Sequence, residues 1–510
     1  MRKIIIPFIV LLFSLVGCDK FLDQNPDNRI EELDTPEKIQ KLLVSAYPDR
    51  SIAVVTEFSS DNIDDIGANN RRTSPFIEEI VYWHKEFHEY GDRDGFRNIW
   101  NDNYSIIYHA NLALQAIEKL GTSAQLDASK GEALVARAYA HFVLVNLFGK
   151  HYNSQTSNTD LGIPYIEQPI EYFSAQRPRN TVAEVYAKIE RDLTAGIELI
   201  NNDFYKVPKF HFTKKAAQAF AARFYLYYEK WAEAEKMATQ VLGETPTSLR
   251  NWSAFRTLGS EDPHAKEYTR DDIEANIFLT TIISNASSYI DGTGVSRFTH
   301  GAAIAARETF LAENNLWQNN YKDKAFERYR TEISTYAYTK YPKYTNYRTQ
   351  VTLFTTDETL LVRAEARILQ KKYSEAITDL NLFTKGYLTA ETQFTKEQID
   401  DAYQNISYSS YDATTKLTHA TQKKRLNPAF TIESEQENLL HFMLQCRRLL
   451  TLGEGLRWFD IRRYGIEIYR LQIDGEGNAY VKEILSKDDK RRSFPLPVEV
   501  VAAGMQQNER

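Results

Sequence analysis

"EGLRWFDIRRYG", residues 454–465, is the densest stretch of the 510-residue chain. Trp458, Phe459 and Ile461 supply apolar bulk, while Asp460 stands among Arg457, Arg462 and Arg463. A carboxylate accepts paired hydrogen bonds from a guanidinium, and Gly465 can take the left-handed conformation that ends a helix. The spacing predicts a short buried helix clamped by arginine–carboxylate pairs, a structural feature rather than a catalytic one.

A buried helix needs others around it, and the flanking sequence supplies them. Trp100, Tyr104, Ile107, Ala110, Leu114, Ile117 and Leu120 fall three and four apart, one face of a long helix that Gly121 is placed to end. Thr181 and Glu184 form a capping-box pair, and Val182, Val185, Ile189, Leu193 and Ile197 continue the apolar stripe. Thr35, Pro36 and Glu37 mark another helix start.

A weak internal repeat joins residues 221–242 to residues 363–384. Ala222, Leu226, Trp231 and Ala234 align with Ala364, Ile368, Tyr373 and Ala376. Residues 135–150 repeat the Ala-Arg-x-Tyr pattern of residues 222–225. Small residues at helical spacing with an aromatic near the turn allow two antiparallel helices to approach closely, as in tetratricopeptide hairpins. The repeats lie far apart, which points to hairpins embedded in a larger body rather than a free solenoid. The expected fold is mostly α, a scaffold of tetratricopeptide-like hairpins with long irregular loops and minor β. Residues 243–300 and 385–430 lose the helical pattern, and within the first of these "DDIEANIFLTTIISN" (residues 271–285) reads as a strand.

The N-terminus carries Arg2 and Lys3, then an apolar run over residues 4–16. Thirteen helical residues span roughly 20 Å, short of a bilayer core of about 30 Å, so the run reads as a secretory signal. Leu15-Val16-Gly17-Cys18 resembles a lipobox, which makes Cys18 the expected lipid attachment point, since two or more acyl chains hold a protein stably on a membrane. The expected organisation is a signal over residues 1–17, a tether over 18–34, a helical N-terminal region over 35–242, and a C-terminal region over 243–510 with a loop-rich insertion over 243–350. Loss of the signal removes two cations and no acid from a chain of formal charge −7, and such acidity gives no electrostatic reason to bind nucleic acid. With Cys18 lipidated, Cys446 stands alone in an apolar helical pattern and reads as a core residue.

Chemical motifs are sparse. His84 and His88 are four apart, but Glu86 is out of place for a zinc-protease motif and no third ligand is evident, so they read as surface histidines. "DGTG" (residues 291–294) lacks the Lys-Ser/Thr sequel of a phosphate loop, and the chain has no G-x-S-x-G or CxxC. No catalytic, metal or cofactor residue is assigned. "TYAYTKYPKYTNYRT" (residues 335–349) alternates tyrosine with basic residues, a pattern suited to sugar rings or to packing on the body.

The lipobox followed by "CDKFLDQNP", "IWNDNYSIIYHANLAL", "ARAYAHFVLVNLFG", "LLVRAEARI", "EGLRWFDIRRYG" and the late "FPLPVEVVAAGMQQN" occur in an order that resembles the SusD/RagB family. "CRRLLTLGEGLRW" departs from that pattern at Leu450 and Gly453. The resemblance implies a non-catalytic outer-membrane lipoprotein of Bacteroidetes type, facing outward as the lid of a SusC-like TonB-dependent transporter. It further implies capture of an oligosaccharide or, in some members, a peptide. A helical-repeat interaction protein that only stabilises the transporter is the alternative. For a sugar held by aromatic stacking and hydrogen bonds, the expected contacts are Tyr82, Trp83, Tyr90, Tyr289, Arg297 and Phe298. Trp100, Trp231 and Trp458 lie on helical stripes and are expected in the core.

Overall fold

The computed structural model describes residues 32–67, 74–88, 91–170, 177–258, 261–290, 296–312, 315–316, 340–342, 347–389 and 392–510. The signal, Cys18, nearly all of the tether, the DGTG turn and Tyr90 lie outside them.

Local signals set the first helices. In α1 (Pro36–Leu43), the Thr35 side chain accepts from the Lys38 amide and proline occupies the first turn. Short helices α2 (Ala53–Ser59) and α3 (Pro75–Val81) precede the long pair α4 (Phe96–Leu120) and α5 (Ala124–Phe148). Of the apolar stripe of α4, Trp100, Tyr104, Ile107, Ala110 and Ile117 are buried, Leu114 is partly buried and Leu120 is exposed, and Gly121 ends the helix at φ +95°. Next comes α6 (Val182–Leu199), opened by the Thr181–Glu184 capping box. Its Gly196 meets Gly131 of α5: a Cβ at Gly131 would stand 2.8 Å from the Gly196 carbonyl oxygen, and one at Gly196 2.7 Å from Val135 Cγ2. Two glycines thus let the helices touch backbone to backbone. Arg137 Nε donates to Asp192 Oδ2 at 2.6 Å across the same joint.

The repeat is a pair of hairpins. α7 (Lys214–Tyr227) turns into α8 (Trp231–Leu242) through Glu229 at φ +60°. After α9 (Glu261–Tyr268), α10 (Ala286–Tyr289) and α11 (Ala302–Glu308), α12 (Thr356–Leu369) turns into α13 (Tyr373–Tyr387) through Lys371 at φ +64°. The left-handed residue stands two positions before the second helix in both. The hairpins also stack on each other. α8 packs on α12, where Glu235 takes Arg367 Nε at 3.0 Å and Lys372 Nζ at 2.6 Å. The chain between them leaves the helical layer and returns directly into α12, so distance in sequence does not separate the repeats in space.

That excursion carries β2 (Asn276–Ile283), the expected strand, paired antiparallel with β4 (Arg348–Thr355) in the register Ile283↔Arg348. A second sheet has the order β3-β1-β7-β8, with β1 (Asp64–Asp65) between β3 (Phe298–Thr299) and β7 (Ile468–Ile473), and β8 (Ala479–Leu485) outside. Residues 385–430 hold more structure than their pattern shows: α14 (Lys396–Gln404), with a Thr395–Gln398 capping box, and a hairpin of β5 (Ser410–Asp412) and β6 (Leu417–His419). Only Ile399 and Tyr403 of α14 are buried, too few for a legible stripe. The fold is mostly α with minor β.

α15 (Ser434–Leu450) leads into α16 (Arg457–Arg463), the short buried helix expected within residues 454–465. Asp460 accepts from Arg447 Nε at 3.0 Å and Nη2 at 2.7 Å. Glu365 of α12 takes Arg447, Arg463 at 2.5 Å and the Tyr464 hydroxyl at 2.6 Å. Burial pushes the Glu365 carboxyl up, but Arg447 and Arg463 outweigh it and hold it down at about 2. Arg457 grips Asp61 with two 2.8 Å bonds, and Arg448 reaches Glu308 at 3.1 Å and Asn62 at 2.8 Å. Buried Glu57 accepts the amides of Gly453 at 3.0 Å and Gly455 at 2.9 Å. The network ties residues 57–62 to the C-terminal helices. Trp100, Trp458 and Cys446 are fully buried, and Trp231 is partly buried against the same core.

The C-terminal "PLP…QQN" pattern is also structural. Gln507 exchanges hydrogen bonds with the backbone of Leu496 at 2.7 and 3.0 Å, and Asn508 Nδ2 donates to the carbonyls of Phe148 and Phe494. The tail is thereby clamped to the end of α5. Among the described residues, no helix is long and apolar enough to cross a membrane.

Candidate ligand-binding site

Of the six expected contacts, the five within the described residues gather beside α2, α3 and the β3-β1-β7 sheet. Asp65 of β1 is the hub, wholly buried. Its carboxylate accepts Arg297 Nε at 2.9 Å and Nη2 at 2.7 Å, the Tyr82 hydroxyl at 2.5 Å, Gln472 Nε2 at 2.9 Å and the Gly67 amide at 2.9 Å. Burial drives its pKa up, yet Arg297 and Tyr82 outweigh that and leave it below the usual range. Tyr82 meets Phe298 edge-on at 6.1 Å, and Arg297 lies over the Phe298 ring.

Three of these side chains are inside the protein, which corrects their expected role. Trp83 is 1% exposed; its indole donates to the Ser59 carbonyl at 3.0 Å and the Arg470 guanidinium covers its ring at 4.8 Å. Phe298 and Tyr82 are likewise buried. Arg470 from β7 fills the space against Trp83 that a ligand would need. Arg297 is spent on Asp65 and, at 3.1 Å, on Glu78. These four form a joint rather than an open face. His84 and His88 are exposed, and among the described residues no group of three His, Cys, Asp or Glu could hold a metal ion.

Tyr289 differs. It is half-buried, with its ring edge-on to Phe58 and its hydroxyl donating to Asp92 Oδ2 at 2.8 Å. Asp92 belongs to the loop before α4, next to Arg93, whose Cζ lies 3.7 Å from the centroid of the Tyr347 ring. Tyr347 is 53% exposed and holds φ +60°, a conformation that costs a side-chain-bearing residue about 1–2 kcal/mol. Its carbonyl accepts the Ser284 amide at 3.0 Å, which fixes it at the open end of the β2–β4 ribbon. Beneath the loop, buried Asp94 accepts Ser284 Oγ at 2.5 Å and the Asn285 amide at 2.8 Å. Burial pushes its carboxyl up to about 7 against those two donors. One end of a strand ribbon thus presents an exposed aromatic, a second tyrosine, a guanidinium and a carboxylate together.

The sequence reading singled out Tyr289 but missed Asp92, Arg93 and Tyr347. The signal for Tyr347 was its tract, residues 335–349, whose described residues, 340–342 and 347–349, differ in their surroundings. Tyr341 is buried, its hydroxyl bonded to the Gly453 carbonyl at 2.7 Å, and Lys340 pairs with Glu454 at 3.0 Å beside a small cavity of about 80 Å³. Tyr347 turns outward.

Comparison with known proteins agrees with this architecture. Residues 20–226 match a SusD-like family described as starch-binding and associating with the outer membrane. SusD-like protein P38 of Formosa agariphila is 23% identical over 509 residues, covering 91% of each chain. Two solved SusD superfamily structures share the fold. One, from Bacteroides fragilis, has TM-score 0.65 and 17% identity over 92% of this chain and 98% of its own. The other, from Bacteroides thetaiotaomicron, has TM-score 0.61 and 19% identity over 93% and 100%. With a sequence match across its N-terminal part, a relative matched along nearly its whole length and this shared fold, the chain is similar to SusD-like proteins.

Proposed function

We propose that the protein is a cell-surface lipoprotein that binds an oligosaccharide and delivers it to a SusC-like TonB-dependent transporter of the outer membrane. The observation that carries the binding step is Tyr347, an exposed ring held in a costly backbone conformation against Arg93, with Asp92 and Tyr289 alongside. A sugar ring offers C–H groups to an aromatic face and hydroxyls to charged partners, and a guanidinium and a carboxylate supply donors and acceptors at fixed angles. Strain retained at an exposed aromatic is a cost that ligand binding accounts for and packing does not. The family description supports a glycan ligand and an outer-membrane setting. In this reading the protein binds without transforming its ligand, and Cys18 carries the lipid.

Calorimetry against a panel of starch-derived and other oligosaccharides tests the binding step. Wild type binds at least one, and Tyr347→Ala abolishes that binding while the fold persists. Absence of binding across the panel, or binding unchanged in Tyr347→Ala, overturns the assignment. Purification from native outer membranes tests delivery: a TonB-dependent transporter co-purifies, and Cys18→Ala shifts the protein to the soluble fraction.

A further inference from the structure

On another part of the molecule, a cavity of about 540 Å³ lies between the loop after α5, the end of α16, residues 487–493 and the C-terminal tail. Its charges can be followed pair by pair. Four carboxylates line it, and each already has a cation: Asp160 with Lys150 at 2.6 Å, Asp488 with Lys487 at 2.7 Å, Asp489 with Arg491 at 2.7 Å, and Glu509 with Lys490. Among the described residues, two buried guanidiniums in the wall, Arg462 and Arg492, form no ion pair with a carboxylate. Arg462 donates to the carbonyls of Asn146 and Gly149 (2.6 Å to the latter), and its Nε has no partner. Arg492 donates to the carbonyls of Ser486 at 2.7 Å and Ile461 at 3.0 Å, and to that of Ile466. Carbonyls carry only partial negative charge, and the carboxylates of Asp489, Glu467 and Asp488 act on Arg492 only from beyond ion-pair distance, so the two guanidiniums in the wall are incompletely compensated.

His151 reports the resulting field. It lines the cavity and is half-buried, and among the described residues no hydrogen bond engages either ring nitrogen. Burial first, then Arg462, Arg492, Arg463 and Lys150, push its pKa down to about 3, so the neutral ring has a donor and an acceptor to offer.

From the unpaired Arg462 and Arg492, the unengaged His151 and the volume enclosed, we infer that this cavity is a binding site for an oxyanion, a carboxylate or sulfate, either free or carried on an acidic sugar. A neutral sugar would leave the two guanidiniums incompletely compensated, whereas an oxyanion supplies the missing counter-charge and accepts from the imidazole. The inference is independent of the sugar-binding reading of the Tyr347 patch.

Calorimetry of the full chain with sodium glucuronate, sodium sulfate and glucose tests it. Histidine-selective NMR of the same samples follows His151, with His151→Leu used to identify its signal. Glucuronate or sulfate binds and shifts the His151 resonance, glucose does neither, and His151→Leu weakens the anion by about fivefold to tenfold, the loss of one hydrogen bond. Glucuronate tighter than sulfate assigns the site to a sugar acid; sulfate as tight as glucuronate assigns it to a free anion. Silence from both anions, or glucose binding equally well with the same His151 shift, overturns the site. The wild-type NMR readout stands even if the variant folds poorly. Tyr347→Ala leaves the anion response unchanged, which separates failure here from failure of the patch.

Discussion

Two regions of this molecule use arginine in opposite ways. Around α16, Arg447, Arg457 and Arg463 are buried, and each meets a carboxylate within 3.0 Å. At the end of the β2–β4 ribbon, Arg93 instead lies on an exposed tyrosine ring. In the first region removal of any partner strands a charge in low dielectric. In the second the cation–π contact lies on an exposed ring, where it contributes only about 0.5–1 kcal/mol, and Tyr347 holds a costly backbone conformation. Dense motifs here mark stability, while the surface suited to a ligand is built from residues that look ordinary in sequence.

The comparison breaks most visibly at Glu365. Glu365→Ala removes the carboxylate closest to both Arg447 and Arg463, leaving them only Asp460 to share, and is expected to cost about 3–5 kcal/mol, read as a lower urea midpoint. A loss below ~1 kcal/mol would mean that Asp460 alone sustains the network. Trp83→Ala is expected to cost about 3 kcal/mol by the same measurement, as a core truncation, with oligosaccharide affinity unchanged in the folded fraction. Direct loss of affinity without loss of stability would return Trp83 to the ligand. Gly455→Ala comes next: its φ is +78° and a Cβ would lie 1.9 Å from Thr56 Oγ1 and 3.0 Å from Ala53 Cα, for about 2–3 kcal/mol.

Acid provides a graded probe of the same interior. The folded pKa of Glu365 is depressed to about 2 from an ordinary 4.5. Its contribution is therefore complete above about pH 4.5 and is lost as pH falls toward 2. Urea midpoints measured across pH 2–6 should fall less steeply in Glu365→Gln than in wild type, and equal slopes would show that another carboxylate titrates. The smallest stability effect belongs to the patch. Tyr347→Gly removes the strain at φ +60° and should change stability by at most about 1 kcal/mol, in the stabilising direction, while oligosaccharide binding disappears. A large destabilisation would place Tyr347 with the structural residues.

Much of the scaffold was legible because its signals are local. The Thr181–Glu184 box, the stripe of α4 and Gly465 after α16 each act within a few residues of where they stand, and helix geometry repeats that order faithfully. The repeat was legible too, down to left-handed residues at matching turn positions, Glu229 and Lys371. α14 was not, because only two of its residues are buried. The ligand contacts were read from residue type. Type cannot say whether an aromatic is covered: Trp83 is covered by Arg470, nearly four hundred residues away in the chain, whereas Tyr347, beside Arg93, is 53% exposed.

By itself the sequence determined the helical scaffold, its caps and turns, the family resemblance and the arginine-rich helix that locks the core, since these follow from spacing within one or two helical turns. Tertiary structure alone decided which carboxylate each arginine meets, which aromatics remain at the surface and which guanidiniums are incompletely compensated. Exposure and electrostatic compensation belong to a side chain's neighbours in space, and those neighbours come from strands and helices hundreds of residues apart.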